Sequence, residues 1–217
     1  MSRNLKLSGA LIAVVVLFIG AAFIFSATRS EPSQAATQPT GNGQVQREDS
    51  HVLGEPGSSD VTLVEFLDFE CPSCGAMYPF VEELRQTYAG QVTFVARHFP
   101  LPMHSNANDA ALAAEAAAQQ DQFEAMYSKL FQTQNAWGGQ DNQAATFRGY
   151  AEELGLDLAE YDAALADPAT QERVDRDQKD GEDLQVPGTP TFFLNGKLLQ
   201  PESAEEFTAA IDEALKS

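Results

Sequence analysis

The feature that most constrains this chain is a pair of cysteines, Cys71 and Cys74, at a change of pattern in the sequence. They are the only cysteines among its 217 residues. The run 61–67 before them is rich in β-branched and large apolar residues and is short enough for a buried strand. The segment 75–84 after them has apolar residues at helical spacing. The sequence therefore predicts a strand that leads into a helix, with Cys71 at the helix N-terminus.

That position favours a negative charge on the sulfur of Cys71. The first turn of a helix carries unpaired N–H groups and the positive end of the helix dipole. A thiol pKa of about 8.5 can fall to roughly 3.5–7.5 in such a place. A stabilised thiolate favours the dithiol form, so the disulfide becomes a stronger oxidant. Pro72 suits the first position of the helix. We therefore interpret the two cysteines as a reversible redox pair.

Three other interpretations of the pair remain open. A structural staple is disfavoured because so short a loop constrains the unfolded chain little. Half of a zinc site is disfavoured because His51, His98 and His104 are scattered along the sequence and no second C-x-x-C follows. Two inert buried thiols are the third possibility. We predict no metal site, and we expect structural or capping roles for His98 and His104.

The charge of the chain excludes one class of partner. The net charge is -19, so nucleic-acid phosphates would be repelled. Acidic side chains concentrate in residues 151–185, and we interpret that region as a solvated surface. A cation site or a basic partner is the alternative for this region.

The N-terminal region predicts export. Residues 7–28 carry no charge and are long enough to span a bilayer. Arg3 and Lys6 precede the run, so residues 1–6 should be cytoplasmic and the rest of the chain extracytoplasmic. A cleavable signal peptide, which would give a secreted protein, is the alternative. We expect an uncleaved signal-anchor in the cell membrane, followed by a flexible linker at 29–50.

The remaining pattern predicts a βαβ unit, an all-helical block and a ββα unit. One helix separates the first two strands, so these strands should be parallel with a right-handed crossover. Asn195 and Gly196 form a hairpin signal. The predicted elements are strand 61–67, helix 72–89, strand 91–99, helices 105–120, 121–133, 143–154, 158–166 and 169–184, strands 186–194 and 197–199, and a last helix from Ser203 to Lys216.

This order predicts an α/β, thioredoxin-like fold with an inserted all-helical domain. The thioredoxin-like domain would comprise residues 51–104 and 186–217. The inserted helical domain would comprise residues 105–185. We further expect Pro79 to kink the first helix, Ser105 or Asn106 to cap the next, and residues 135–142 to form a loop.

Three segments together resemble the DsbA-like thiol:disulfide oxidoreductases, and most closely the membrane-anchored Gram-positive group that includes BdbD. The segments are 64–74, with its Glu65 and C-P-S-C; 98–101, His-Phe-Pro-Leu; and 188–196, which begins Gly-Thr-Pro-Thr. The likeness covers roughly residues 51–215. One departure is the dipeptide between the cysteines, which is Pro-Ser rather than the Pro-His of the Gram-negative type enzyme.

The resemblance implies a role for several residues. Cys71 would be the exposed nucleophile and Cys74 the buried resolving partner. Thr189 and Pro190 would form the cis-proline site, beside the disulfide, that pairs with substrate backbone. An ordinary proline at a strand start is the alternative for Pro190. Substrate contacts are also expected from Pro72, Ser73 and Phe69, and no cofactor is expected.

Glu65 is a candidate proton relay. It lies in the apolar strand, and a carboxyl buried there would have a raised pKa. In that state it could exchange a proton with Cys74 as the disulfide forms and breaks. The resemblance supports this role, because the family has an acid at the same place. A solvated carboxylate at a sheet edge is the alternative.

The sequence therefore predicts an extracytoplasmic enzyme that donates its Cys71–Cys74 disulfide to reduced, unfolded exported proteins. By resemblance, a DsbB-like or VKOR-like membrane partner would re-oxidise it. Two alternatives remain open: a disulfide reductase or isomerase of the same fold, and a non-catalytic extracellular binding module.

Overall fold

The computed structural model describes residues 43–217, which form five strands and seven helices. In chain order the elements are β1 (His51–Val52), β2 (Thr62–Leu67), α1 (Pro72–Thr87), β3 (Thr93–His98), α2 (Ala107–Ala118), α3 (Phe123–Trp137), α4 (Ala144–Glu153), α5 (Leu158–Ala166), α6 (Pro168–Asp183), β4 (Thr191–Leu194), β5 (Lys197–Leu199) and α7 (Ala204–Ala214).

The strands form one mixed sheet in the order β1-β3-β2-β4-β5. Strands β2 and β3 are parallel, as the single intervening helix predicts, while β4 is antiparallel to both β2 and β5. The predicted βαβ unit and the hairpin at Asn195 and Gly196 are confirmed. Strand β2, which leads to the cysteines, is therefore a central strand with neighbours on both sides.

The alternation along β2 places its side chains in two different apolar cores. Leu63 and Leu67 pack in a large core with Cys74 and much of the helical region. Val64 and Phe66 point to the opposite face and pack in a smaller core with Phe99, Val186 and Phe193, among others. The helices that follow β3 pack on this frame, with α6 against β3 and α3 against α1.

Two element boundaries differ most from those predicted, and β1 was not predicted as a strand. Helix α3 continues to Trp137, so part of the predicted loop 135–142 is helical. The indole of Trp137 is fully buried and its Nε1 donates to Leu130 O, and both contacts stabilise the extra turn. Strand β4 begins at Thr191 rather than 186, because Pro187 and Pro190 cannot donate to a ladder.

The predicted caps have mixed outcomes. Ser203 caps α7, with its Oγ accepting from Glu206 N. Asn106 precedes α2, but its side chain does not cap that helix. Its amide instead donates to Glu70 and to Gln140 O, so tertiary partners replace the local one.

The folded region starts earlier than the predicted linker allows. Gln44 N donates to Asp180 Oδ1, and Arg97 donates to the carbonyls of Gln44 and Val45. Residues 43–50 are thus bound to α6 and β3 and are not a free tether. The prediction failed because a linker-like composition does not reveal a partner that lies far along the chain.

The predicted membrane anchor at 7–28 lies outside the described residues, as do residues 1–6 and 29–42. Within 43–217, none of the helices combines the length and the apolarity needed to cross a bilayer. Residues 43–217 belong to one compact unit. The division into a thioredoxin-like domain and an inserted helical domain stays a prediction.

Candidate active site

The two cysteines lie where the sequence predicts, at the start of α1. Cys71 is the N-cap residue, with extended backbone angles, and Pro72 follows at the beginning of the helix. Cys74 lies in the first turn. Both are free thiols. Both are buried, Cys71 at 6% exposure and Cys74 at 1%, so Cys71 is the more accessible sulfur but is not exposed as predicted.

The surroundings of Cys71 favour its thiolate. The pKa of this thiol is lowered from 9.0 to about 4. The largest cause is a hydrogen bond from the Cys74 side chain, and burial opposes it. The nearby Thr189 side chain and the backbone N–H groups of Cys74 and Ser73 add to the lowering. The helix terminus thus contributes as predicted, but the neighbouring thiol contributes more.

Cys74 has the opposite character. Burial raises the pKa of its thiol well above the usual value, and its hydrogen bond to the Cys71 sulfur raises that pKa further. The negative charge of Glu65 acts in the same direction. Near neutral pH the pair therefore consists of one anionic and one protonated sulfur. Such a pair has a ready nucleophile and leaving group at Cys71, while Cys74 needs a base before it can attack.

Glu65 lies in the middle of β2, with Ala96 of β3 on one side and Phe192 of β4 on the other. By alternation it shares the face of Leu63 and Leu67, which is the face of the Cys74 core. It is 5% exposed, so the alternative of a solvated edge carboxylate is excluded. Burial, followed by the charges of Glu82 and Cys71, raises the pKa of Glu65 to about 8.

The loop before β4 closes the site from the other side. The Thr189–Pro190 peptide bond is cis. Cys71 Sγ lies 3.3 Å from Thr189 O, so this loop lies directly against that sulfur. Pro72 and Ser73 are exposed, and Thr189 and Pro190 are half-buried. These four residues lie around Cys71 and are at least partly accessible to solvent.

Phe69 does not line a substrate surface, contrary to prediction. It is only 1% exposed. Its ring packs against Tyr127 and Phe131 of α3 and against His98. A large aromatic ring two residues before the cysteines is stabilised more by this cluster than by exposure to solvent. Its role is to attach the active-site turn to the helical region.

Gln134 of α3 is a residue that the sequence did not indicate. Its Nε2 donates to Phe69 O and to Cys71 O, both at 2.8 Å, and the side chain is buried. A Cβ on Gly75 would meet Gln134 Oε1 at 2.0 Å. The glycine after Cys74 therefore makes room for this amide. Gly75 is the one feature of the sequence that could have indicated a close neighbour here.

Two buried acids next to the cysteines also hold the turn in place. Asp68 Oδ2 accepts from Leu101 N and lies 2.6 Å from His104 Nδ1. Glu70 accepts from the backbone N–H groups of Asn106 and Gly139. His104 thus has the structural role predicted for it, through Asp68.

The fold brings together two histidines that are scattered in the sequence. His51 Nε2 and His98 Nε2 each lie 2.7 Å from Glu115 Oε1. The predicted structural role of His98 is supported by this contact. His51 and His98 meet although they are far apart in the sequence, because β1 and β3 are neighbours in the sheet and Glu115 of α2 lies beside them.

Two clefts open beside the cysteines. One, of about 490 Å³, includes Glu70, Pro72 and Met103 in its lining, and Met103 is 76% exposed. The other, of about 330 Å³, is mainly apolar and extends from Met77 past Pro190. An extended peptide bound next to Cys71 would have space on both sides.

Comparison with known proteins agrees with this geometry. Residues 46–213 match the family model Thioredoxin_4, described as thioredoxin. A thioredoxin-like oxidoreductase from Silicibacter pomeroyi is 28% identical, with a TM-score of 0.66 over 80% of this chain and 96% of that one. Oxidised BdbD from Bacillus subtilis is 23% identical, with a TM-score of 0.70 over 81% and 97%. The fold is thus thioredoxin-like and DsbA-like.

Curated relatives are much longer than the matched region. A protein named Na(+)/H(+) antiporter NhaA 3, from Salinispora tropica, is 41% identical over 169 residues, which cover 77% of this chain and 25% of that protein. A protein named NhaA 1 from Mycobacterium sp. is 36% identical over 156 residues, or 70% and 24%. The chain spans about a quarter of the length of these relatives.

Proposed function

The chain belongs to the thioredoxin family that residues 46–213 match, and we propose from this premise that it donates its Cys71–Cys74 disulfide to exported proteins. The observation that carries the proposal is the opposite ionisation of the two sulfurs, with the pKa of Cys71 lowered to about 4 and that of Cys74 raised. A thiolate of this kind stabilises the reduced enzyme, so the oxidised enzyme transfers its disulfide readily.

The reaction has two steps. A substrate thiolate attacks Cys71 Sγ of the disulfide, a mixed disulfide forms, and Cys74 leaves as a thiolate that is protonated. A second substrate thiolate then attacks the substrate sulfur of the mixed disulfide and expels Cys71 as a thiolate. The substrate loses two electrons, which remain on the enzyme dithiol. The low pKa of Cys71 makes it the better leaving group in the second step.

Glu65 acts on the buried sulfur in this scheme. With a pKa of about 8 it is protonated at neutral pH and can supply the proton that Cys74 needs when it leaves. In the reverse direction its carboxylate removes that proton before Cys74 attacks. The shared face of Glu65 and the Cys74 core supports this role.

Substrate docking is proposed at the rim made by Pro72, Ser73, Thr189 and Pro190. Pro72 and Ser73 are exposed, Thr189 and Pro190 are half-buried, and the two clefts beside them suit an extended, unfolded chain. The proposed substrates are reduced exported proteins. A membrane oxidase of DsbB-like or VKOR-like type would remove the two electrons afterwards.

The proposed location is the outer face of the cell membrane, with residues 7–28 as the anchor. The uncharged run and the preceding Arg3 and Lys6 support it. A disulfide donor also needs an oxidising compartment. The proposal does not include cation antiport, because the chain covers about a quarter of the relatives that carry that name.

The redox potential of the Cys71–Cys74 pair tests the direction of electron flow. Equilibration of the full chain with glutathione should give a reduction potential well above about -200 mV, because disulfide donors have less negative potentials than reductases. A value close to thioredoxin's, about -270 mV, would reject disulfide donation and favour a reductase.

Refolding of a reduced multi-disulfide protein tests the binding-module alternative. The oxidised chain should accelerate formation of substrate disulfides, and Cys71→Ser should abolish the effect. Ser58→Ala is the matched control, because Ser58 is exposed, donates to Gly90 O beyond the far end of α1, and its replacement keeps both sulfurs. Full activity in Cys71→Ser would favour a non-catalytic module.

A further inference from the structure

Three metal-ligating atoms converge at a place where the disulfide chemistry does not need them. They belong to His51 of β1, His98 of β3 and Glu115 of α2. Each histidine Nε2 lies 2.7 Å from the same oxygen, Glu115 Oε1, and all three atoms lie within 4.8 Å of one another. The three residues are far apart in the sequence, so the fold itself assembles them.

We propose that His51, His98 and Glu115 bind a divalent transition-metal ion of the zinc type. Two imidazoles and one carboxylate are the ligand set that zinc accepts when three protein groups hold it and water takes a fourth position. Zinc lies about 2.0–2.2 Å from such donors, which in a tetrahedron are about 3.3 Å apart. Each histidine nitrogen would therefore move about 0.6 Å away from Glu115 Oε1, and the two nitrogens, which lie within 4.8 Å of each other, would approach each other by up to about 1.5 Å.

The burial of the three residues suits a bound ion. His98 is 2% exposed and Glu115 is 6% exposed, so both provide a dry side of the site. The side chain of His51 is 16% exposed, which leaves an entrance and room for water. Glu115 Oε1 thus faces both imidazole nitrogens in a pocket that is dry on two sides.

The neighbouring side chains hold the imidazoles in position. The ring of His51 stacks on Phe123 with centroids 3.6 Å apart, and His98 packs against the edges of Phe123 and Phe69. Arg97 is the nearest cation along β3, but alternation directs it to the opposite face, where Asp177 and Asp180 bind it. No competing positive charge thus comes from that residue.

Occupancy requires a change of tautomer. In the metal-free cluster each Nε2–H donates a hydrogen bond to Glu115 Oε1, whereas a metal needs the lone pair of that nitrogen. The proton would move to Nδ1, and the carboxylate oxygen would turn from acceptor to ligand. The ion would then join β1, β3 and α2 at one point.

Binding of Zn²⁺ or Co²⁺ to the full, untagged chain in detergent tests the proposal. The Cys71–Cys74 disulfide is kept oxidised, because free thiolates would bind these ions themselves. Equilibrium dialysis should give one zinc per chain at micromolar concentration. Cobalt should show the strong visible absorption of a tetrahedral site without a thiolate charge-transfer band.

Matched variants identify the ligands. His51→Gln should weaken zinc binding at least about tenfold, and Glu115→Gln should do the same. His51 is partly exposed, so its replacement should leave the core intact. The His51 variant therefore still tests the site if the Glu115 variant fails to fold. His104→Gln is the control and should bind as wild type does. Less than one zinc per chain, or equal affinity in His51→Gln and His104→Gln, would overturn the proposal.

Discussion

At the scale of single residues, the ionisation of Cys71 depends on its neighbour more than on its helix. The pattern of strand, cysteine and helix predicted a stabilised thiolate, and the structure agrees. The largest contribution, however, is the hydrogen bond from Cys74, ahead of the backbone N–H groups. The sequence could predict the location of the sulfur but not this order of causes, which depends on side-chain geometry.

Glu65→Gln should slow the steps in which Cys74 gains or loses a proton, by about 100-fold at neutral pH. In wild type the attack of Cys74 on a mixed disulfide should rise with pH and level off above about 8, because only the carboxylate accepts the proton. The variant should lose that rise, and Glu65→Asp should keep part of it. Stopped-flow rates over a pH series check this. Identical profiles in wild type and Glu65→Gln would remove the relay.

Glu65→Gln should also stabilise the fold. Burial raises the pKa of Glu65 from 4.5 to about 8, so its contribution to stability is complete below pH 4.5 and is lost as the pH rises through 8. The amide has no proton to lose. The free energy of unfolding of the variant should exceed that of wild type by a few kcal/mol at neutral pH, and the two should be equal below pH 4.5. Urea unfolding at both pH values measures this, and an equal difference at both would contradict it.

At the scale of elements, periodicity predicted the helices and strands, while tertiary contacts set several of their ends. Trp137 extends α3 because its indole finds a buried site, and the prolines delay β4. The link between α3 and the start of α1 was not predictable, since nothing local to Gln134 indicates that its amide binds Cys71 O. Gly75 beside the cysteines was the only trace of that contact.

Gly75→Ala should destabilise the protein by about 1–3 kcal/mol, because its Cβ would collide with Gln134 Oε1. Gly149→Ala is the matched control. Gly149 lies in α4 with nothing near its missing Cβ, so alanine there should stabilise by about 0.5–1 kcal/mol. Thermal or urea unfolding measures both.

Repeating Gly75→Ala in a Gln134→Ala protein separates the clash with the Gln134 amide from any other effect of the new methyl group. In that background the cost of Gly75→Ala should disappear, since the obstructing amide is gone. A cost that persists would show that Gly75 is needed for a reason other than Gln134.

At the scale of the whole molecule, contacts distant in sequence decide what the sequence alone could not. The parallel pair β2–β3 and the hairpin β4–β5 were predictable from local signals, whereas strand β1 and the pairing of β2 with β4 were not. The attachment of residues 43–50 and the cluster of His51, His98 and Glu115 were not, because each joins segments that only the completed sheet brings together. A buried ion network around Arg97 forms the first of these attachments.

Asp180→Asn should detach the N-terminal segment and destabilise the protein by about 3–5 kcal/mol, since Arg97 and Arg47 lose a buried partner. The amide of Gln44, which donates to Asp180, should exchange with deuterium much faster. Asp183→Asn is the control, because its pair with Lys179 is exposed and should change stability by less than about 0.5 kcal/mol. Equal protection of Gln44 in both variants would contradict the assignment.

The most direct test of the account is the ultraviolet titration of the Cys71 thiolate in the reduced chain. We expect one sulfur to ionise with a pKa of about 4 and Cys74 to stay protonated through neutral pH. Cys74→Ala should raise the pKa of Cys71, because the hydrogen-bond donor is lost, and Cys74→Ser should restore part of the lowering. A Cys71 pKa near that of free cysteine, about 8.5, would contradict the proposed disulfide donor.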